Sequence, residues 1–105
     1  MIARVWRGVA QGRSNAEAYL RHLTANVLPA LKAIEGHREA RVLRREEGGR
    51  VEFLVLTCWD SMEAVRRFAG MHPERAVVEP EARAVLSSFD DFVRHFELAH
   101  AAPCG

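Results

Sequence analysis

Four side chains interrupt otherwise apolar strands in a way that could do chemistry: Arg4, Trp6, Trp59 and His95. Arg4 and Trp6 are two apart and share one face of a strand, where a guanidinium charge would stand beside a flat indole. Trp59 ends a second apolar run just before a helix-start signal, at the edge expected between sheet and helices. His95 alternates with Val93 in the last run. An indole offers a broad surface for stacking an aromatic ligand plus one N–H donor. A histidine near its ordinary pKa can move a proton to or from a phenol. The set therefore reads as Arg4 and Trp6 binding substrate, with Trp59 and His95 taking part in the chemistry. Three of them have a purely structural alternative: strand-end packing for Trp59, a hydrogen-bonded role for His95, and an ion pair with Glu97 for Arg4. His37, in the loop after Gly36, reads as solvated.

The sequence carries no Gly-rich nucleotide cradle, no P-loop, no CxxC and no HExxH pattern. His22, His37, His72, His95 and His100 are scattered, none three or four residues from another on a helix, so no metal or other cofactor is expected. Lys plus Arg number 15 and Asp plus Glu 14, and this near balance argues against a nucleic-acid partner. No apolar run nears the roughly 20 residues that cross a bilayer, so no membrane partner is expected, and the cytoplasm is the expected location. Two cysteines are too few for a disulfide framework; Cys58 reads as a buried thiol and Cys104 falls in the tail.

Six elements must position these residues within 105 residues, enough for one core. Ile2 to Ala10 alternates as a strand. Ser14-Asn15-Ala16-Glu17 fits a capping box with Ser14 as N-cap. Tyr19, Leu20, Leu23, Val27, Leu31 and Ile34 then form one helical stripe, in which Pro29 should kink or break the helix near Leu28. Arg38 to Glu47 and Val51 to Trp59 read as strands joined at Gly48-Gly49, a two-residue hairpin signal. Asp60-Ser61-Met62-Glu63 repeats the capping pattern and opens a second helix with Met62, Val65, Phe68 and Ala69 on one face, closed by Gly70. His72-Pro73-Glu74 offers a short helical turn through Ala76, and Pro80 should interrupt it. Phe89 to Leu98 is the last strand. The order β-α-β-β-α-β is that of an α+β ferredoxin-like fold, a four-stranded antiparallel sheet with helices on one face. The domain is assigned to residues 1–98 and residues 99–105 to a flexible C-terminal tail.

The third strand implies a second copy. Val51, Phe53, Val55, Thr57 and Trp59 point to one face, and Leu54, Leu56 and Cys58 to the other. A sheet with one wet face should alternate apolar with polar. Two long helices cover one face only, so a homodimer packed sheet to sheet is expected. The alternative is that residues 71–86 fold back over the second face.

The opening Met1-Ile2-Ala3-Arg4-Val5-Trp6-Arg7-Gly8 and Val55-Leu56-Thr57-Cys58-Trp59-Asp60-Ser61-Met62-Glu63-Ala64 resemble the antibiotic biosynthesis monooxygenase domains. So do Glu74-Arg75-Ala76-Val77, Pro80-Glu81 and Val93-Arg94-His95-Phe96-Glu97-Leu98. The resemblance implies a dimeric α+β barrel. For members that are enzymes, it implies oxygenation of electron-rich aromatic polyketides without metal or flavin, the deprotonated substrate itself passing an electron to O₂. Trp59 matches the tryptophan that closes the third strand in that group. The chain departs from the pattern at two places. The quinone-forming members carry an asparagine within this strand, where Phe53, Leu54, Val55 and Leu56 are all apolar. The heme-degrading relatives use an Asn, a Trp and a His; here the first strand has no Asn, and Val77-Val78-Glu79 stand where the heme-ligating His would be sought. The expected function is a cofactor-independent monooxygenase acting on a small aromatic, polyketide-type substrate between sheet and helices. The alternative is a non-catalytic dimer that binds a small ligand.

Overall fold

The computed structural model describes residues 1–103, so Cys104 and the last residue of the expected tail lie outside the described residues. Strand β1 (Ile2–Gln11) sits between β3 (Arg50–Trp59) and the last segment of the chain, and β2 (His37–Glu47) pairs with the far side of β3. All pairings are antiparallel. Gly48 and Gly49 take φ of 60° and 80°, the left-handed pair that a tight two-residue hairpin demands. The α+β ferredoxin-like order is the one expected from the sequence.

The long helix begins as α1 (Arg13–His22), widens into a π segment (Leu23–Val27) and resumes as α2 (Leu28–Lys32). Pro29 lacks an N–H and its ring crowds the preceding turn. The helix accommodates this by loosening one turn rather than breaking, and Leu31 stays in register beneath it, buried. Ser14 is not the N-cap: Gly12, at φ 84°, occupies that place with no side-chain cap, and Ser14 lies inside the first turn. Ser61 does cap α3 (Met62–Ala69), its Oγ accepting from the Ala64 N–H at 3.2 Å. Asp60, the first residue of the expected box, instead takes a bidentate bond from Arg38 at 2.6 and 2.7 Å.

Two expectations for the C-terminal third are corrected. Residues 72–76 form a turn and an isolated bridge between Arg75 and Phe92, not a helical turn, and Pro80 opens α4 (Pro80–Val85) rather than interrupting it. Pro at a first helical position forfeits no hydrogen bond, which is why it starts a helix here. The single expected last strand is split into β4 (Ser88–Phe89) and β5 (Arg94–Glu97). Phe89 stands opposite Gly8 and Arg94 opposite Val5, so the intervening residues bulge out to pair with the 72–76 turn through Val93 N–H to Glu74 O and Ala76 N–H to Asp91 O.

The helices cover one sheet face. Val51, Phe53, Thr57 and Trp59 of β3 are buried there beside Tyr19, Leu23, Leu31 and Val65. Helix α4 lies on this same side, with Ala82 and Leu86 packed into the cluster of Tyr19 and Phe53. Residues 71–86 therefore do not close the opposite face, where Leu54, Leu56 and Cys58 are half-buried and Leu43 and Phe96 remain 49% and 47% exposed. Cys58 is thus a half-covered thiol on the open face, not a core residue. Residues 99–103 are exposed and carry no regular structure. Among the described residues no helix is long and apolar enough to cross a membrane.

Candidate functional site

A cavity of about 70 Å³ lies between the sheet and the helices. Its floor is the helix-facing side of β1 and β3, from Arg4, Trp6, Val55 and Thr57. Its roof is Tyr19, His22, Leu23 and Val27 of the long helix, and residues 77–79 with Ala82 wall one side. At about 10–15 Å³ per water on this measure, it holds roughly five waters. Five waters at about 30 Å³ of liquid volume each match one six-membered aromatic ring. A multi-ring ligand needs the wall to move.

Arg4 and Trp6 both line this space, as their shared strand face requires. Trp6 lies flat because Gly8 follows it on that face: a Cβ at Gly8 would stand 2.6 Å from the indole Cη2. The indole N–H donates to Asp90 O at 2.8 Å, so the ring presents its face to the cavity while its edge is anchored. Arg4 is 5% exposed and has no carboxylate partner among the described residues. It does not pair with Glu97, which stands opposite Ile2. Its guanidinium donates to Pro73 O at 2.5 Å and Arg75 O at 3.0 Å, and contacts His95 Nε2 at 3.0 Å. Burial lowers its pKa to about 10, which leaves it a cation at neutral pH.

His95 does not line the cavity; it backs Arg4. A guanidinium only donates, so His95 Nε2 accepts and the ring proton sits on Nδ1. Burial and then the Arg4 charge hold the His95 pKa below its ordinary value, partly offset by Glu74. Trp59 lies away from the cavity too. It is 0% exposed, packed among Leu31, Ala64 and Val65, stacked on Phe68 at 5.8 Å, and met edge-on by His37 at 4.9 Å. Its N–H donates to Thr57 Oγ1 at 2.9 Å, and Thr57 is what reaches the cavity. The strand end expected to be open is closed because α3 starts at once and folds back over it. His37 is not solvated: it is half-buried against Trp59, and burial lowers its pKa.

Three polar residues of the lining were passed over in the sequence. Tyr19 read only as one member of an apolar stripe, His22 as one of several scattered histidines, and Glu79 as a substitution in a loop. Burial, with the Glu79 carboxylate second, raises the Tyr19 pKa above the ordinary phenol range, so its hydroxyl keeps its proton. His22 and Asn26 are one helical turn apart, and the Asn26 Nδ2 stands 3.1 Å from His22 Nδ1. The i, i+4 spacing of Tyr19-Leu23 and His22-Asn26 was legible, but that Glu79 meets this helix face depends on how the segment before α4 folds, which no local spacing reveals.

No group of three or more His, Cys, Asp or Glu able to hold a metal occurs among the described residues. A family model described as antibiotic biosynthesis monooxygenase matches residues 9–80, more than half of the chain. No curated protein matches. Among solved structures, the cofactor-independent oxygenase SnoaB of Streptomyces nogalater is similar at 16% identity and TM-score 0.67, over 97% of this chain and 96% of that one. The ActVA-Orf6 monooxygenase of Streptomyces coelicolor, in complex with nanaomycin D, is similar at 13% identity and TM-score 0.65, over 99% and 92%. The heme-degrader MhuD of Mycobacterium tuberculosis, with two hemes bound, is similar at 18% identity and TM-score 0.60, over 98% and 100%. At these identities the likeness is one of fold.

Proposed function

We propose that this chain, which belongs to the antibiotic biosynthesis monooxygenase family, oxygenates a small electron-rich aromatic in the cavity between sheet and helices, as a sheet-to-sheet homodimer. The observation that carries the reading is Arg4, buried without a carboxylate partner among the described residues and lining, with Trp6, a cavity whose walls are mostly apolar. An unpaired buried cation favours negative charge on whatever lies next to it. In the reaction a phenol loses its proton and passes an electron to O₂, and the two radicals combine at a ring carbon. Loss of water from the hydroperoxide then gives a quinone, so that phenol plus O₂ yields quinone plus H₂O. Trp6 would stack the ring, and Arg4 would stabilise the reduced oxygen anion. Trp59 and His95 would contribute through the residues they hold, Thr57 and Arg4. The open sheet face, apolar at Leu54, Leu56, Leu43 and Phe96, would meet its twofold copy.

Oxygen uptake with a dihydroxynaphthalene or an anthrone tests this reading. The expected result is one O₂ consumed per quinone formed, without peroxide release, and a loss of about 10²-fold in Arg4→Met, the scale for removing one charge-stabilising donor. Uptake no faster than without protein would contradict it. Sedimentation should give a dimer that Leu56→Glu converts to monomer; a wild-type monomer would remove the sheet-to-sheet arrangement.

A second reading, a non-catalytic dimer that binds a small aromatic, is favoured by one observation. The polar groups first nominated by sequence are all engaged by protein: Trp6 by Asp90, Trp59 by Thr57, and His95 by Arg4. Binding at the cavity without oxygen uptake would select it.

A further inference from the structure

The cavity has a second polar end in which hydrogen-bonding capacity is free. His22 is buried, only 9% exposed, and its Nε2 has no hydrogen-bond partner. The Asn26 amide nitrogen donates to His22 Nδ1 at 3.1 Å, so in the neutral ring the proton sits on Nε2, a buried N–H donor with no hydrogen bond of its own. The Glu79 Oε1 stands beside that nitrogen at 3.5 Å, longer than a good hydrogen bond, so an oxygen seated against both could bond to each. Tyr19 completes the end with a hydroxyl that stays protonated. All three residues line the same cavity as Arg4 and Trp6.

Leaving a buried donor unsatisfied is destabilising, and such groups are normally satisfied by water or ligand. A donor (His22 Nε2–H) and an acceptor (the Glu79 carboxylate) standing side by side select a group that accepts and donates at once. A hydroxyl does both; a carbonyl, an ether or a methyl does not. We propose that His22 and Glu79 form the recognition site for a phenolic hydroxyl of the substrate, with Glu79 as the group that takes its proton. This deepens the reading of the cavity as an aromatic site and rests on it.

The assignment divides the chemistry between two ends. At the His22 end the substrate O–H bond breaks, its proton passes to a Glu79 oxygen, and the phenolate keeps its electron pair and accepts from His22 Nε2–H. At the Arg4 end the oxygen anion forms. His95 is unsuited to take the proton in this arrangement because its lone pair already receives an Arg4 N–H. The Glu79 carboxylate, with His22 beside it, is one-third exposed and so returns its proton to solvent when product leaves.

Phenol and toluene have nearly the same shape and differ in the group tested, and each is one ring, the size the cavity takes as it stands. Calorimetric titration of the 105-residue chain with each compound isolates the hydroxyl. The expected result is phenol bound at least tenfold more tightly than toluene, with Glu79→Ala and His22→Phe each reducing that ratio about tenfold, the effect of one charge-assisted bond. His22→Phe keeps the ring's bulk. Glu79→Gln, a surface-reaching and isosteric change, retains the fold and serves as the second variant should either of the others fail to fold. Its ratio should fall between wild type and Glu79→Ala. Equal affinities for phenol and toluene in the wild type, or a phenol preference unchanged in all three variants, would overturn the proposal. Oxygen uptake with the larger anthrone, measured separately, would still report on the monooxygenase reading, so the two can fail independently.

Discussion

Trp6 and Trp59 stand on paired strands and on the same face of the sheet, yet one floors a cavity and the other is sealed in the core. Trp6 lies over Gly8 and under Tyr19, at 6.1 Å between ring centroids, with free space beside it. Trp59 is followed immediately by a capped helix, and Phe68 of that helix stacks on it. What separates them is what the chain does next. After Trp6 the strand continues to Gln11, and the helix that follows brings Tyr19 over the indole while leaving the cavity beside it. After Trp59 the chain reverses at Ser61 and packs back at once. A tryptophan in a strand is thus a ligand surface or a core plug according to the cover it receives, not the strand it occupies.

That contrast should be largest in stability. Trp59→Ala removes a fully buried ring and should cost about 3–5 kcal/mol, whereas Trp6→Ala, at the edge of an existing void, should cost about 1–2 kcal/mol. Chemical denaturation measures both, and equal losses would break the comparison. Next comes the link between the two regions. Thr57→Val leaves the Trp59 N–H buried and unpaired, with an expected loss of about 1–3 kcal/mol. The same variant should alter ligand affinity only modestly, because a methyl replaces a hydroxyl in the cavity floor. A larger change in affinity than in stability would show that Thr57 binds ligand directly.

A smaller effect is expected from Gly8→Ala. Its new Cβ would meet the Trp6 ring at 2.6 Å and must tilt it. Aromatic affinity should drop several-fold, with a stability loss of about 1–3 kcal/mol as for other overpacked sites. Unchanged affinity would mean that the lie of the indole is irrelevant to binding.

The smallest effect concerns the histidine beside each region. Burial holds His37, against Trp59, below its ordinary pKa, and burial with Arg4 does the same for His95. Both bind protons less readily in the fold than in the unfolded chain, which takes them up below about pH 6.5. The unfolded state therefore binds more protons, and stability should fall as pH drops from about 7 through 6.5 towards the lowered native values. Melting temperature against pH reads this directly. His37→Phe and His95→Gln should each flatten part of that fall, and a profile unaltered in both would contradict the assignment.

The fold was largely readable because its signals are local. Alternation marked β1 and β3, Gly48-Gly49 marked the hairpin, and the apolar run on both sides of β3 marked the uncovered face. The errors arose where two local signals competed or where distant segments met. The capping box at Ser14 competed with the strand before it: the strand reaches Gln11, and Gly12 turns the chain straight into the helix. The split of the last strand depends on pairing with residues 74–76, which no spacing within 89–98 reveals. At the site, Arg4 and Trp6 could be placed because two residues of one strand must share a face. His22, Tyr19 and Glu79 could not, because they meet only where the segment before α4 packs against the long helix.

The claim on which the account turns is that an aromatic ligand enters at Trp6 and leaves Trp59 aside. The two indole N–H resonances in a ¹⁵N–¹H spectrum report on it during titration with 1-naphthol. The account predicts a progressive, saturable shift of the Trp6 signal, with the Trp59 signal moving little. A shift dominated by Trp59, or saturation with neither signal displaced, would contradict it.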